Sequence, residues 1–142
     1  MKRISFDRRF VNETGDDLVS GKIHTIRKNH EYWKRFEGQE VALFTWEGKP
    51  YRSKQKVFCT KVIVSVQKVK KDRMCPRAFK DDSKYYFGIF ADDYYPWGIQ
   101  VANSELAKND GLSESELFKW FCGYPDGSLA IIHFTNLRYG NE

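Results

Sequence analysis

Between residues 57 and 69 the chain carries a period-two pattern that limits the folds open to it more than any other stretch. Phe58, Thr60, Val62, Val64 and Val66 share one face of an extended segment, and Lys61, Ser65 and Gln67 occupy the other. A strand with one apolar and one polar face needs an antiparallel neighbour and a core to cover it. The neighbour is close at hand. Residues 40–46 read as a second strand, joined to the first by a polar, basic loop. That hairpin carries Lys49, Arg52, Lys54 and Lys56, with Tyr51 at its middle.

Helical signals lie on both sides of the hairpin. Phe6 and Phe10 stand one turn apart, and Leu18 with Val19 continues an apolar side, which predicts a first helix over about 7–19. Gly21 follows where a left-handed helix stop belongs. Late in the chain Ser113 and Glu116 have capping-box spacing, Leu112 is placed to staple onto Leu117, and Leu117, Trp120 and Phe121 form a stripe. This predicts a helix over 113–122 ended by Gly123 and Pro125, preceded by a helical turn at 104–109 that Asp110 and Gly111 close. Residues 84–90 and 129–134 are strand candidates, and the aromatic, proline-broken piece 92–98 is a loop. Helix, strands, helices, strand is the order of a small α+β protein. The expected architecture is a mixed or antiparallel β-barrel with flanking helices, in one domain spanning 1–142.

The 142 residues contain no apolar run near the ~18 that a membrane helix needs. The N-terminus has no apolar signal-peptide core, so a cytoplasmic location is expected and no membrane partner. Cys59, Cys75 and Cys122 are widely spaced, and His24, His30 and His133 form no ligand motif, so neither a metal nor a cofactor is expected. The net charge of +5 is unevenly distributed: residues 49–80 carry a net +10 and residues 81–142 a net −6. Such polarity steers a polyanion to one side of a fold, while the large rings of the 92–98 loop are expected mainly to pack inside, with a stacking surface for bases as the lesser alternative.

The densest chemistry sits in Ser20-Gly21-Lys22-Ile23-His24-Thr25-Ile26-Arg27. An ammonium, a hydroxyl and a guanidinium fall within six residues, anchored by Ile23 and Ile26. Lysine is a mobile charge whose pKa falls on desolvation, and arginine a planar fork that stays charged. A hydroxyl beside a desolvated lysine is one route to an oxygen nucleophile. In a regular strand Lys22, His24 and Ile26 would face one way, and Ile23, Thr25 and Arg27 the other. Lys22 and Thr25 therefore converge only if the segment begins in a turn or bulge.

Taken with Leu106-Ala107-Lys108-Asn109-Asp110-Gly111-Leu112-Ser113 and the following helix, the Lys22–Arg27 motif resembles the ASCH domain family, relatives of the PUA RNA-binding fold. The resemblance implies a PUA-like barrel and a cleft lined by the lysine motif and the acidic turn. It further implies binding of RNA or of a nucleoside or nucleotide, with Gly21 and Arg27 at the ligand; the hairpin's own charge puts Lys49, Arg52, Lys54 and Lys56 at phosphates, with Tyr51 stacking on a base. One bacterial branch of the family hydrolyses N4-acetylcytidine with a lysine, a threonine and a glutamate. Lys22 and Thr25 match the first two. Asp110 stands where that branch has glutamate and is one methylene shorter. The first expectation is thus an RNA- or modified-nucleotide-binding domain, and the alternative an amidohydrolase with Lys22 as base, Thr25 as nucleophile and Asp110 as acid. A third class, a protein-interaction domain using the acidic C-terminal half, has less behind it.

Overall fold

The computed structural model describes residues 1–71, 89–91, 99–122 and 129–140. In chain order the elements are β1 (Arg3–Ser5), β2 (His24–Lys28), α1 (His30–Lys34), β3 (Glu40–Trp46), β4 (Gln55–Val62), β5 (Ser65–Lys71), β6 (Ile89–Ala91), β7 (Ile99–Val101), α2 (Asn103–Asn109), α3 (Glu114–Cys122) and β8 (Leu129–His133). The strands form two sheets, β1-β3-β4 and β2-β8-β5-β6-β7. All pairings are antiparallel except β1 with β3. The architecture is mixed α+β. No ladder among the described residues joins the two sheets into a closed barrel.

β8 explains the layering. It reads Leu-Ala-Ile-Ile-His and is buried along its whole length, as a central strand covered on both faces must be. Leu129 and Ile131 pack with Leu106, Leu117 and Phe121 from α2 and α3. Ala130 and Ile132 turn the other way, to Val41 and Leu43 of β3 and Ile4 of β1. The five-stranded sheet is therefore covered by helices on one face and by the smaller sheet on the other.

Several expectations hold residue for residue. β3 has the predicted bounds, and α3 begins with a reciprocal capping box. In it the Glu116 amide donates to Ser113 Oγ (3.2 Å) and the Ser113 amide to Glu116 Oε1 (3.1 Å). Leu117 and Phe121 are fully buried, while Trp120 is only half-buried. Residues 84–88, the loop 92–98, Cys75, Gly123 and Pro125 lie outside the described residues.

Other expectations are corrected. The 57–69 strand is two strands in different sheets. The chain crosses between them at Ile63 and Val64, whose amides donate to Gln39 O and His133 O respectively, both at 2.9 Å. The crossing breaks the alternation: Ile63 is fully buried, Val62 and Val64, assigned to the apolar face, are 46% and 41% exposed, and Val66 of that same face is buried. Gln67, assigned to the polar face, is completely buried. The helix over 7–19 is reduced to a 3-10 turn, Arg8–Phe10, followed by a loop closed by a bridge between Val11 and Leu18. Asn12 Oδ1 accepts from the amides of Asp16 (3.0 Å) and Asp17 (3.2 Å), and Asp17 Oδ1 from that of Leu18 (2.7 Å). These local bonds displace the helical ladder. Gly21 is left-handed as expected (φ 92°), but it ends a turn rather than a helix.

β1, α1 and β7 have no counterpart in the sequence reading. Helix α1 starts at Asn29, which is left-handed (φ 70°) and caps through Oδ1 to the Tyr32 amide (3.2 Å). No helix among the described residues is long and apolar enough to cross a membrane.

Candidate functional site

The turn at Gly21 settles the geometry of the lysine motif. β2 starts only at His24, so Lys22 and Ile23 precede the strand and are free of its alternation. Two contacts fasten this lead-in to the end of α2. The Ile23 amide donates to Asn109 O (2.8 Å), and Lys22 Nζ to Asp110 O (2.7 Å). Gly111 carries the turn in a left-handed conformation (φ 74°) that favours glycine, and a Cβ there would touch Lys22 Cβ and Cδ and Phe10 Cδ1 at 3.4 Å.

Lys22, Thr25, Arg27 and Asp110 all line one open cavity of about 530 Å³, a size usual for small-molecule sites. Its walls are aromatic: Phe6, Phe10, Trp46, Tyr51 and Trp120. The Lys22 ammonium is buried, 4.4 Å from the Phe10 ring centre and 5.7 Å from that of Phe6, and its Nζ is 3.5 Å from Asp110 Oδ1. Burial lowers the pKa of Lys22 below the usual lysine value; Asp110 opposes that shift and Arg27 adds to it. Thr25 Oγ1 accepts from Arg27 Nε (3.2 Å), and Arg27 Nη2 donates to Ser5 O while its guanidinium lies 4.9 Å from the Phe6 ring centre. Among the described residues no direct hydrogen bond joins Lys22 to Thr25.

Behind Asp110 runs a buried chain that sequence reasoning missed. Asp110 Oδ1 is 3.0 Å from His24 Nδ1, His24 Nε2 is 2.6 Å from Tyr139 Oη, and Asn109 Nδ2 donates to Tyr139 Oη (3.1 Å). A carboxylate oxygen only accepts, so Nδ1 carries a ring proton, and in the neutral ring Nε2 accepts from the phenol. Burial raises the Tyr139 pKa well above the usual phenol value, which keeps that donor protonated. Gln67 completes the support: Nε2 donates to Tyr139 O (2.9 Å), and Oε1 accepts from the Tyr139 amide (2.9 Å) and from His133 Nε2 (2.8 Å). His133 stacks edge-on to His24, with ring centres 5.4 Å apart. Burial, with His24 and Arg138 nearby, brings its pKa down to about 3. His24 was visible inside the motif. Tyr139 carries no signal in the tail, and Phe6 and Phe10 were hidden by their assignment to a helical stripe.

Tyr51 sits at the cavity rim, 90% exposed and left-handed (φ 64°), its ring 5.3 Å from Trp46. Lys49, Arg52, Lys54 and Lys56 are exposed on the same hairpin but do not line this cavity. Lys56 instead borders a separate cavity with Arg8 and Phe58. Among the described residues no group of three or more His, Cys, Asp or Glu is placed to hold a metal. Compared with protein-family models, curated proteins and solved structures, the chain finds no match.

Proposed function

We propose that the chain is a PUA-like domain of the ASCH type that binds RNA or a modified nucleotide, with one base seated in the aromatic-walled cavity. The observation that carries this reading is the combination in one cleft of flat apolar walls with the Lys22–Asp110 pair and the Arg27–Thr25 pair. A nucleobase has two π faces and an edge of donors and acceptors, and such a cleft answers both. Trp46, Tyr51 and Trp120 take the faces. Lys22 donates to the edge, Asp110 accepts from it, and Arg27 meets phosphate. The left-handed backbone that keeps the Tyr51 ring exposed at the rim costs on the order of 1–2 kcal/mol, an expense that suits a ring held ready for a ligand.

The test is a titration of tryptophan fluorescence with the four nucleoside monophosphates and N4-acetylcytidine. Saturable quenching is expected, weakened at least tenfold by Lys22→Met. Failure of every one of these compounds, and of a trinucleotide, to bind would end the reading.

A second reading rests on the buried, pKa-lowered Lys22 in the same cavity as the Thr25 hydroxyl. In an amidohydrolase, Thr25 Oγ1 attacks the acyl carbon while its proton passes through one water to the neutral Lys22 amine. Lys22 hands that proton to Asp110, which delivers it to the departing amine as the C–N bond breaks. Water then cleaves the threonine ester. Release of cytidine from N4-acetylcytidine, lost in Thr25→Val and Lys22→Met, is the expected result. Binding without turnover, in both the wild type and Asp110→Glu, would discard it.

A further inference from the structure

The cavity just described does not stand alone. A second cavity of about 500 Å³ adjoins it and shares part of its wall: Ser5, Arg27, Trp46 and Tyr51 line both. On its far side are Lys2, Arg3 and Trp33, and its lining holds three cations and no acid. The first cavity differs in kind, with Asp7 and Asp110 among its lining groups. One compartment therefore offers both donors and acceptors, as base recognition requires. The other offers positive charge and ring surface, as a sugar–phosphate backbone and a stacked base require.

The shared wall is built to be used from both sides. Phe44, Trp46 and Tyr51 form a run of rings with successive centres 5.3 Å apart, and the exposed Tyr51 ends it between the two compartments. Arg27 reaches Thr25 in the first cavity through Nε and the Ser5 carbonyl, common to both, through Nη2. Beyond the wall Lys2 lies over Tyr32 and Trp33, 4.7 Å and 5.3 Å from their ring centres, and Arg3, exposed, donates to Gln55 Oε1 (2.9 Å).

We infer that the two cavities are one groove and that the ligand is a single-stranded oligonucleotide of at least two nucleotides. This rests on the nucleotide-binding reading above and gives the substrate its length and direction. One base occupies the Lys22 cavity, the linking phosphate lies at Arg27, and the neighbouring nucleotide stacks past Tyr51 and runs towards Lys2 and Arg3. The strand thus leaves the site along β1, whereas Lys49, Arg52 and Lys54 lie outside both compartments.

The experiment compares dissociation constants of the full chain for a nucleoside monophosphate, a trinucleotide of RNA and the same trinucleotide of DNA, at three salt concentrations. It is repeated with Lys2→Gln/Arg3→Gln, and with Arg3→Gln alone should the double variant lose its fold. The trinucleotide is expected to bind at least tenfold tighter than the monophosphate. The double variant should cut that advantage below threefold, and Arg3→Gln should at least halve it. Both should leave the monophosphate constant unchanged. Preference for either sugar supports the groove and identifies the natural strand. Equal affinity for monophosphate and trinucleotide overturns the inference while leaving the nucleotide-binding reading intact. A trinucleotide advantage that survives in the Lys2/Arg3 variants but disappears on neutralising Lys49, Arg52 and Lys54 also overturns it. Binding of none of the three probes removes both readings together.

Discussion

His133 makes an acid-sensitivity prediction that one substitution can isolate. Its ring is completely buried, its Nε2 proton goes to Gln67 Oε1, and Nδ1 has no hydrogen-bond partner among the described residues. Folding therefore holds it neutral, with a pKa of about 3 against 6.5 for the free side chain. The folded value is the lower one. Stability from this group is thus complete above pH 6.5 and is lost as pH falls towards 3, where the unfolded chain takes up a proton that the folded chain refuses. From pH 7 to pH 5 the loss is about 2 kcal/mol, at ~1.36 kcal/mol per pH unit below the unfolded pKa. That window lies above the range in which Glu116, Asp16, Asp17 and Glu37 act, since their pKa values are all lowered from ordinary carboxylate values. Urea unfolding reads it directly: with an m value of about 2 kcal/mol/M, the wild-type midpoint should drop by about 1 M between the two pH values. His133→Leu should abolish most of that drop. It keeps an apolar side chain in the slot, and Gln67 Oε1 still accepts from the Tyr139 amide. Equal drops in wild type and variant would refute the assignment.

Three further outcomes can be checked with the same material. Gly111→Ala forces an L-residue into φ 74° against Lys22 and Phe10, so chemical denaturation should show a loss of about 1–2 kcal/mol, with weaker nucleotide binding. Tyr139→Phe keeps the ring but leaves His24 Nε2 and Asn109 Nδ2 without the phenol; a loss of about 1–3 kcal/mol is expected, and full stability would show that the chain from Asp110 to Asn109 carries no energy. Neutralising Lys49, Arg52, Lys54 and Lys56 together should slow association with strands of eight or more nucleotides and flatten the salt dependence, while trinucleotide affinity stays the same.

The parts of the fold legible in the sequence are those whose signals are local. The capping box at Ser113 and Glu116, the apolar run of β8 and the bounds of β3 depend on neighbours a few residues away, and they stand in the structure. The errors arise where distant partners decide. Residues 62–64 read Val-Ile-Val and interrupt period two, but nothing in that apolar run tells that His133 takes the Val64 amide while Gln39 takes that of Ile63. Phe6 and Phe10 have helical spacing, yet Asn12 and Asp17 spend their side chains on the backbone of the following loop. The cavity-lining Lys22, Thr25, Arg27 and Asp110 were legible as residue types in a motif. Their convergence depends on a turn at Gly21 and a left-handed Gly111, and the supporting Tyr139 is separated from His24 by 115 positions.

That separation has a consequence for how the molecule comes into being. Lys22 meets Asp110 across 88 positions, and His24 meets Tyr139 across 115, so neither the charged pair of the cleft nor the buried chain behind it exists in a chain that has closed only its local hairpins. Closing loops of that length is entropically slow relative to forming hairpins and helices. β8 must insert between β2 and β5 before Tyr139 can reach His24. A nascent or nicked chain lacking residues 129–140 therefore holds the lysine motif without a working pocket. Conversely, whatever fills the pocket engages only the finished topology. At a hundredfold excess over its dissociation constant it would add about 2.7 kcal/mol to the stability of the entire fold, making occupancy of the cleft a report on completed folding.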